Sequence, residues 1–354
     1  MPTMPGLGET ARAIIADGMG ILAADETVST ITKRLTARAI ESTADSRRAY
    51  RELLFTTPGI AEFIGGTILQ DETIRQDSAA GTPLIELLAD RGIIPGIKVD
   101  AGVRPLAGAP GESITEGLDG LRERLAEYRE LGARFAKWRA VFVIRAGLPS
   151  ATCIHANAHA LARYAALCQE QGLVPIVEPE VLMDGAHALE RCEDVTGRVL
   201  QAVFNELFVA RVALEGMLLK PNMITAGQGF ARQAPVREVA EATLRVLTHH
   251  VPPAVPGVVF LSGGQDAVLA TKHLNAINAL EGPKPWKLSF SFGRALQDEA
   301  LETWRGRSEQ VPAAQRAFHH RAWCDSAAVL GAYTADMEGE PGFAPAEEAH
   351  PTHH

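Results

Sequence analysis

Eight strand-length apolar runs, spaced by segments of helical period, are the strongest constraint on what this chain can fold into. They are Gly20–Asp25, Ile64–Gln70, Ile93–Asp100, Arg134–Ile144, Leu173–Glu180, Leu214–Asn222, Gly257–Gln265 and Trp286–Arg294. The runs are nearly continuous rather than alternating, as expected of parallel strands covered on both faces. Helical segments lie between them: Ser46–Thr56, Pro83–Asp90, Glu116–Leu131, Ala151–Gln171, His187–Val209, Val236–His249 and Ala267–Leu280. Strand and helix in alternation require right-handed crossovers. Eight repeats fit a closed (β/α)8 barrel, an α/β fold of the TIM type. An open doubly wound sheet is the alternative, disfavoured because no G-x-G-x-x-G follows the first strand.

Further helices are expected around Glu9–Asp17 and over Gln315–Leu330. Residues 1–334 therefore read as a single barrel domain. From residue 335 the chain is rich in Gly, Pro and Glu and is expected to be a flexible tail. No apolar run approaches the roughly 20 residues of a membrane span, and MPTMPGLGET has no signal-peptide pattern. A net charge of −9 argues against nucleic acid as a partner. The four scattered cysteines contain no C-x-x-C pair and read as reduced thiols of a cytoplasmic protein.

Polar residues in these runs collect at the carboxyl ends, where barrel enzymes build their sites. They are Asp25, Lys98 and Asp100, Lys137 and Arg139, Glu178 and Glu180, Lys220, Ser262 and Arg294. Seven of the eight strands contribute, and chance would scatter them. Lys220, in LLKPNM, ends its run against a proline that denies the strand a donor. It is either a strand-end lysine reaching water or an amine desolvated and crowded by another cation. The second environment lowers a lysine pKa and lets a neutral amine attack a ketone to form a Schiff base. Lys137, on one strand face with Arg139, is a source of that second cation.

Glu178 and Glu180 also share a face. As a carboxylate pair they would leave one group protonated and able to donate, and the competing reading is a salt bridge to Lys137 or Lys220. Asp25 is either a base for a substrate hydroxyl or a helix N-cap. Ser262-Gly263-Gly264 is a turn whose N–H groups can cradle phosphate, with Arg294 as a bidentate partner from the next strand. His155 and His159 stand four apart on a helix without the Glu of H-E-x-x-H, so no metal site is expected.

The stretches GILAADET, PGIKVD, LAGAPGE, EGLDGL, FAKWR, ARYAALCQE, VPIVEPEVL, LLKPNM, VPPAVPGVVFLSGGQ, LNAIN and SFGRAL run in order from Gly20 to Leu296. Together they resemble class I fructose-1,6-bisphosphate aldolases of the animal and plant type. The resemblance implies reversible cleavage of a phosphorylated sugar, fructose 1,6-bisphosphate, in glycolysis and gluconeogenesis, with no cofactor and no metal. It implies Lys220 as the Schiff-base lysine, Glu178 as the acid/base of dehydration with Glu180 beside it, and Asp25 at the substrate hydroxyls. Lys137 becomes the second lysine. Ser262, Gly263 and Arg294 match the C1-phosphate site, and Lys98, Arg139 and Arg34 the other phosphate end. A homo-oligomer, commonly a tetramer, is implied too. Other readings are a Schiff-base aldolase for sedoheptulose 1,7-bisphosphate or fructose 1-phosphate, and a non-catalytic scaffold.

Three departures stand out. The turn after the acidic residue is Thr27-Val28-Ser29-Thr30, Ala101 follows K-V-D where a lysine is usual, and the chain ends in His353-His354 where the family ends in tyrosine. Enamine protonation is therefore expected to be slow, or to be assisted by the tail histidines. Deuterium exchange into dihydroxyacetone phosphate, with and without residues 335–354, tests this: truncation should change the rate, and an unchanged rate removes any role for the tail.

Overall fold

Eight parallel strands close on themselves in the computed structural model, which describes residues 6–339. They are β1 Gly20–Ala23, β2 Ile64–Leu69, β3 Ile94–Lys98, β4 Phe135–Phe142, β5 Val174–Val181, β6 Leu218–Leu219, β7 Gly257–Phe260 and β8 Lys287–Phe292. Each lies within one of the eight apolar runs or within a residue of it. The order round the barrel is β1, β2, β3, β4, β5, β6, β7, β8 and back to β1. The open-sheet alternative is thus excluded.

The barrel interior is a small core of its own. Ile21, Ile68, Phe135, Val174, Ile176, Leu218 and Val259 meet Leu7, Ala11, Ile14 and Ile15, so the N-terminal helix Leu7–Ile14 closes one end. The larger core lies between the strands and the outer helices. Room inside depends on residues without side chains: a Cβ added at Gly96 would overlap the Phe135 ring.

Several elements differ from the sequence expectation. Only Leu218–Leu219 of the run Leu214–Asn222 is strand, because Leu214–Gly216 forms a 3-10 turn and Pro221 has no N–H to extend the ladder. Lys220 still donates its N–H to the Val177 carbonyl at 2.8 Å. Arg294 is not on a strand; it opens the helix Arg294–Trp304. The helix expected from Glu116 starts at Leu121, since residues 113–115 pair with 103–105 in an antiparallel hairpin. The helix Val28–Thr36, with only Ile31 and Leu35 as buried apolar residues, gave little periodic signal.

The last long helix runs from Val311 to Val329, four residues earlier than expected. Ala335–Gly339, assigned to the tail, forms a 3-10 turn with Met337 buried and Glu338 paired to Arg321. The rest of the tail, with His353 and His354, lies outside the described residues. The four cysteines are buried free thiols. Among the described residues no helix is long and apolar enough to cross a membrane.

Two predictions follow from packing. Gly96→Ala should lower stability by about 1–3 kcal/mol in urea unfolding, and adding Phe135→Leu should restore part of it; an unchanged midpoint contradicts the tight fit. Asp325 is fully buried and accepts from Thr271 at 2.6 Å, and burial raises its pKa from 3.8 to about 7. Between those pH values the unfolded chain releases this proton and the folded one keeps it, so Asp325 lowers stability as pH rises through that window. Asp325→Asn should therefore gain on the wild type in urea unfolding from pH 4 to pH 7, and a pH-independent difference would refute the assignment.

Candidate active site

The carboxyl ends of the strands enclose a cavity of about 560 Å³. Its walls include Asp25, Arg34, Lys98, Lys137, Arg139, Glu178, Glu180, Lys220, Ser262, Gly263 and Arg294, which is every site residue named from the sequence. Sheet register accounts for the grouping. Lys137 on β4 lies beside Lys98 on β3, and Arg139 lies beside Glu178 on β5. Alternate residues of β4 and β5 turn the same way, so Lys137 and Arg139, and Glu178 and Glu180, enter together.

At the centre acidic and basic side chains alternate. Lys137 Nζ lies 2.7 Å from Asp25 Oδ2 and 3.1 Å from Glu178 Oε2. Glu178 Oε1 lies 3.2 Å from Lys220 Nζ. Lys220 and Lys137 are each 4% exposed, which eliminates the surface reading of Lys220. Asp25 does not cap a helix; Thr27 does, accepting from the Thr30 N–H at 3.3 Å.

The electrostatics correct one expectation. Glu178 and Glu180 do not share a proton as an acid pair. Burial pushes the Glu178 carboxyl up, but Lys137, Lys220 and Arg139 outweigh it and hold its pKa below the usual value. Glu180 instead pairs with the Arg139 guanidinium. Asp25 behaves like Glu178: burial raises its pKa, and Lys137 and Lys220 bring it down to about 2. Lys137 is held above the usual lysine range because Asp25, Glu178 and Asp100 overcome its burial. The resting site therefore holds Asp25 and Glu178 ionised and Lys137 charged.

Cations line both ends of the cavity. At one end Gly263 and Gly264 have φ of 61° and 90°, a left-handed turn, and leave the Asp266-capped helix Ala267–Ala279 behind them. Arg294 lies over this turn, its Nη2 3.1 Å from where a Gly264 Cβ would be. It is exposed and makes no ion pair among the described residues, which leaves it free for an anion. Across the barrel, on β3 and β4, Lys98 is tied to Asp100 at 2.5 Å and Arg139 to Glu180, while Arg34 is tied to Glu26 and, at 3.0 Å, to Asp298 of the helix that Arg294 opens.

Thr27 and Thr30 of the departing turn line the cavity too, and so do Glu26, Lys33 and Ser291, which were not singled out from the sequence. Glu26 follows Asp25 directly and was within reach; Thr30 and Lys33 sit on the helix that carried little periodic signal. His155 and His159, on the helix Ala151–Glu170, both face Glu206, at 3.4 and 3.0 Å, and do not line this cavity. Among the described residues one group, His320, Cys324 and Glu338, brings possible metal ligands within 4.8 Å of one another, but its carboxylate is held by Arg321.

The family model for fructose-bisphosphate aldolase class-I matches residues 6–348. A probable fructose-bisphosphate aldolase class 1 of Xanthomonas campestris is 56% identical over 326 residues, 92% of this chain and 97% of that protein. The cytosolic fructose-bisphosphate aldolase 6 of Arabidopsis thaliana is 54% identical, covering 94% of this chain and 93% of its own. The solved structure of Plasmodium falciparum fructose-bisphosphate aldolase, in complex with TRAP and a small-molecule inhibitor, superposes with a TM-score of 0.92 at 50% identity, over 93% of this chain and 95% of that one. With barrel, pocket and sequence in agreement over almost its whole length, the chain belongs to the class-I fructose-bisphosphate aldolase family.

Proposed function

We propose that the chain cleaves fructose 1,6-bisphosphate reversibly to dihydroxyacetone phosphate and glyceraldehyde 3-phosphate through an imine on Lys220. The observation that carries this reading is the buried Lys220 amine held 3.2 Å from an ionised Glu178. An ammonium cannot attack a carbonyl, so the amine must first lose a proton, and Glu178 is the acceptor in reach.

The steps follow from that geometry. Lys220 Nζ adds to the C2 ketone, and its proton passes to Glu178. Glu178 returns a proton to the C2 hydroxyl, which leaves as water and yields an iminium cation. Asp25 takes the C4 hydroxyl proton, the C3–C4 bond breaks, and its electrons move onto the iminium. Glyceraldehyde 3-phosphate departs. The enamine takes up a proton at C3, Asp25 gives up the one it took from the C4 hydroxyl, and water adds to the regenerated iminium and releases dihydroxyacetone phosphate from Lys220. The protonated imine acts as the electron sink, so the sequence of steps calls for no metal. Lys137, charged throughout, holds Asp25 and Glu178 ionised between turnovers.

Ser262, Gly263 and Arg294 are assigned to the C1 phosphate, and Lys98, Arg139 and Arg34 to the C6 end. Cations at both ends favour a bisphosphate such as fructose 1,6- or sedoheptulose 1,7-bisphosphate over fructose 1-phosphate. A scaffold would not need Asp25, Glu178 and Lys137 kept ionised in a buried pocket at such a desolvation cost. We further infer a cytoplasmic homo-oligomer, a tetramer by resemblance, in which a single barrel domain carries the whole site. The outward Phe208 and Val209, 83% and 73% exposed, support association.

Lys220→Met should cut kcat by about a thousandfold or more while leaving thermal unfolding cooperative. Excess EDTA should leave wild-type activity intact. Near-normal cleavage by Lys220→Met, or loss of activity in EDTA, would contradict the proposal.

A further inference from the structure

Asp25 lies beyond the end of β1, on a stretch that belongs to neither strand nor helix. Its side chain must nevertheless keep one place, because a base about 1 Å out of line loses much of its effect. We infer that two buried residues outside the pocket lining, Arg51 and Gln297, are positioning residues that hold Asp25 in place; this rests on the reading of Asp25 as the base for C–C cleavage.

Arg51 comes from the helix Ala44–Phe55 and is 1% exposed. Its Nε donates to the Ala24 carbonyl at 3.2 Å and its Nη2 to the Glu26 carbonyl at 3.1 Å. One planar guanidinium thus ties the backbone on both sides of Asp25. Gln297, wholly buried on the helix Arg294–Trp304, donates from Nε2 to the Ala23 carbonyl at 2.7 Å. Its Oε1 accepts from the Tyr50 hydroxyl at 3.1 Å and from Arg34 Nη1 at 3.4 Å. Three backbone carbonyls around the base, those of Ala23, Ala24 and Glu26, are therefore held by two side chains from two different helices, with Asp25 between them.

Ion pairing alone does not account for Arg51. Its nearest carboxylate oxygen, Glu26 Oε2, is 3.6 Å away, and its own Nη1 is buried with no hydrogen-bond partner. A buried cation of this kind is costly to keep and its fixed fork suits two carbonyls at a set spacing. Gln297 adds a link to the substrate's phosphates: it sits one turn beyond Arg294 on the same helix and also bonds Arg34. Phosphate contact at either end is thereby connected to the strand end that carries the base.

The test uses the full chain with Arg51→Lys, which keeps the charge but not the fork, and Gln297→Met, which keeps the volume but not the donor. Each should lower kcat for fructose 1,6-bisphosphate by about ten- to a hundredfold with KM moved by no more than about threefold. Borohydride trapping of dihydroxyacetone phosphate on Lys220, a step that does not use Asp25, should remain at the wild-type extent. The inference is overturned if both variants cleave at the wild-type rate, or if trapping falls in parallel with kcat, which would mean general loosening of the fold. If the wild type itself is not trapped at Lys220, the proposed function fails and this inference with it.

Discussion

Everything in the pocket turns on one carboxylate shared by two buried lysines. Glu178 lies 3.1 Å from Lys137 and 3.2 Å from Lys220, and Asp25 completes the series 2.7 Å beyond Lys137. Burial opposes these charges, and Asp25, Glu178 and Lys137 stay ionised because neighbours of opposite sign outweigh it. Removing any one leaves an uncompensated ion in a dry place, so the four form a single electrostatic unit. In the proposed mechanism that unit puts a proton acceptor 3.2 Å from the Lys220 amine, which a solitary buried lysine would lack.

The barrel makes such a unit possible. Parallel strands deliver their last residues to one rim, and the register of β3, β4 and β5 fixes which of those residues face each other. Beneath the rim the interior is filled by Ile21, Ile68, Phe135 and their neighbours, with the N-terminal helix closing the far end. Water is thus excluded from below, which strengthens each ion pair above. The glycine turn at 263–264 and the helix starting at Arg294 lie at one edge of the same cavity, where the proposed phosphate contact is assigned.

Much of this was legible in the residues. All eight barrel strands fell in apolar runs because burial on both faces leaves an unbroken hydrophobic signature. Most of the pocket residues were legible because a polar group ending such a run has few places to go except the rim; Arg34, which lies in none of the runs, was named only through the family resemblance. What could not be read was the partnering. Glu178 and Glu180 share a strand face, which suggested a proton-sharing pair; in three dimensions the cations of β4 and β6 separate them, Lys137 and Lys220 claiming one and Arg139 the other. Arg51 and Gln297 were invisible for a similar reason. Each looks like an ordinary polar residue of an amphipathic helix, and only the folded chain shows it bonded to the backbone around Asp25. The short hairpin 103–105 with 113–115 and the helix Val28–Thr36 bury too little to leave a periodic pattern.

The most direct measurement is a crystal structure of the chain soaked with dihydroxyacetone phosphate. The account requires continuous density from Lys220 Nζ to C2 of the ligand, with the phosphate on Ser262, Gly263 and Arg294. A ligand lying unbonded in the pocket while Lys220 stays paired to Glu178, or a bond to Lys137 or Lys98 instead, would contradict it.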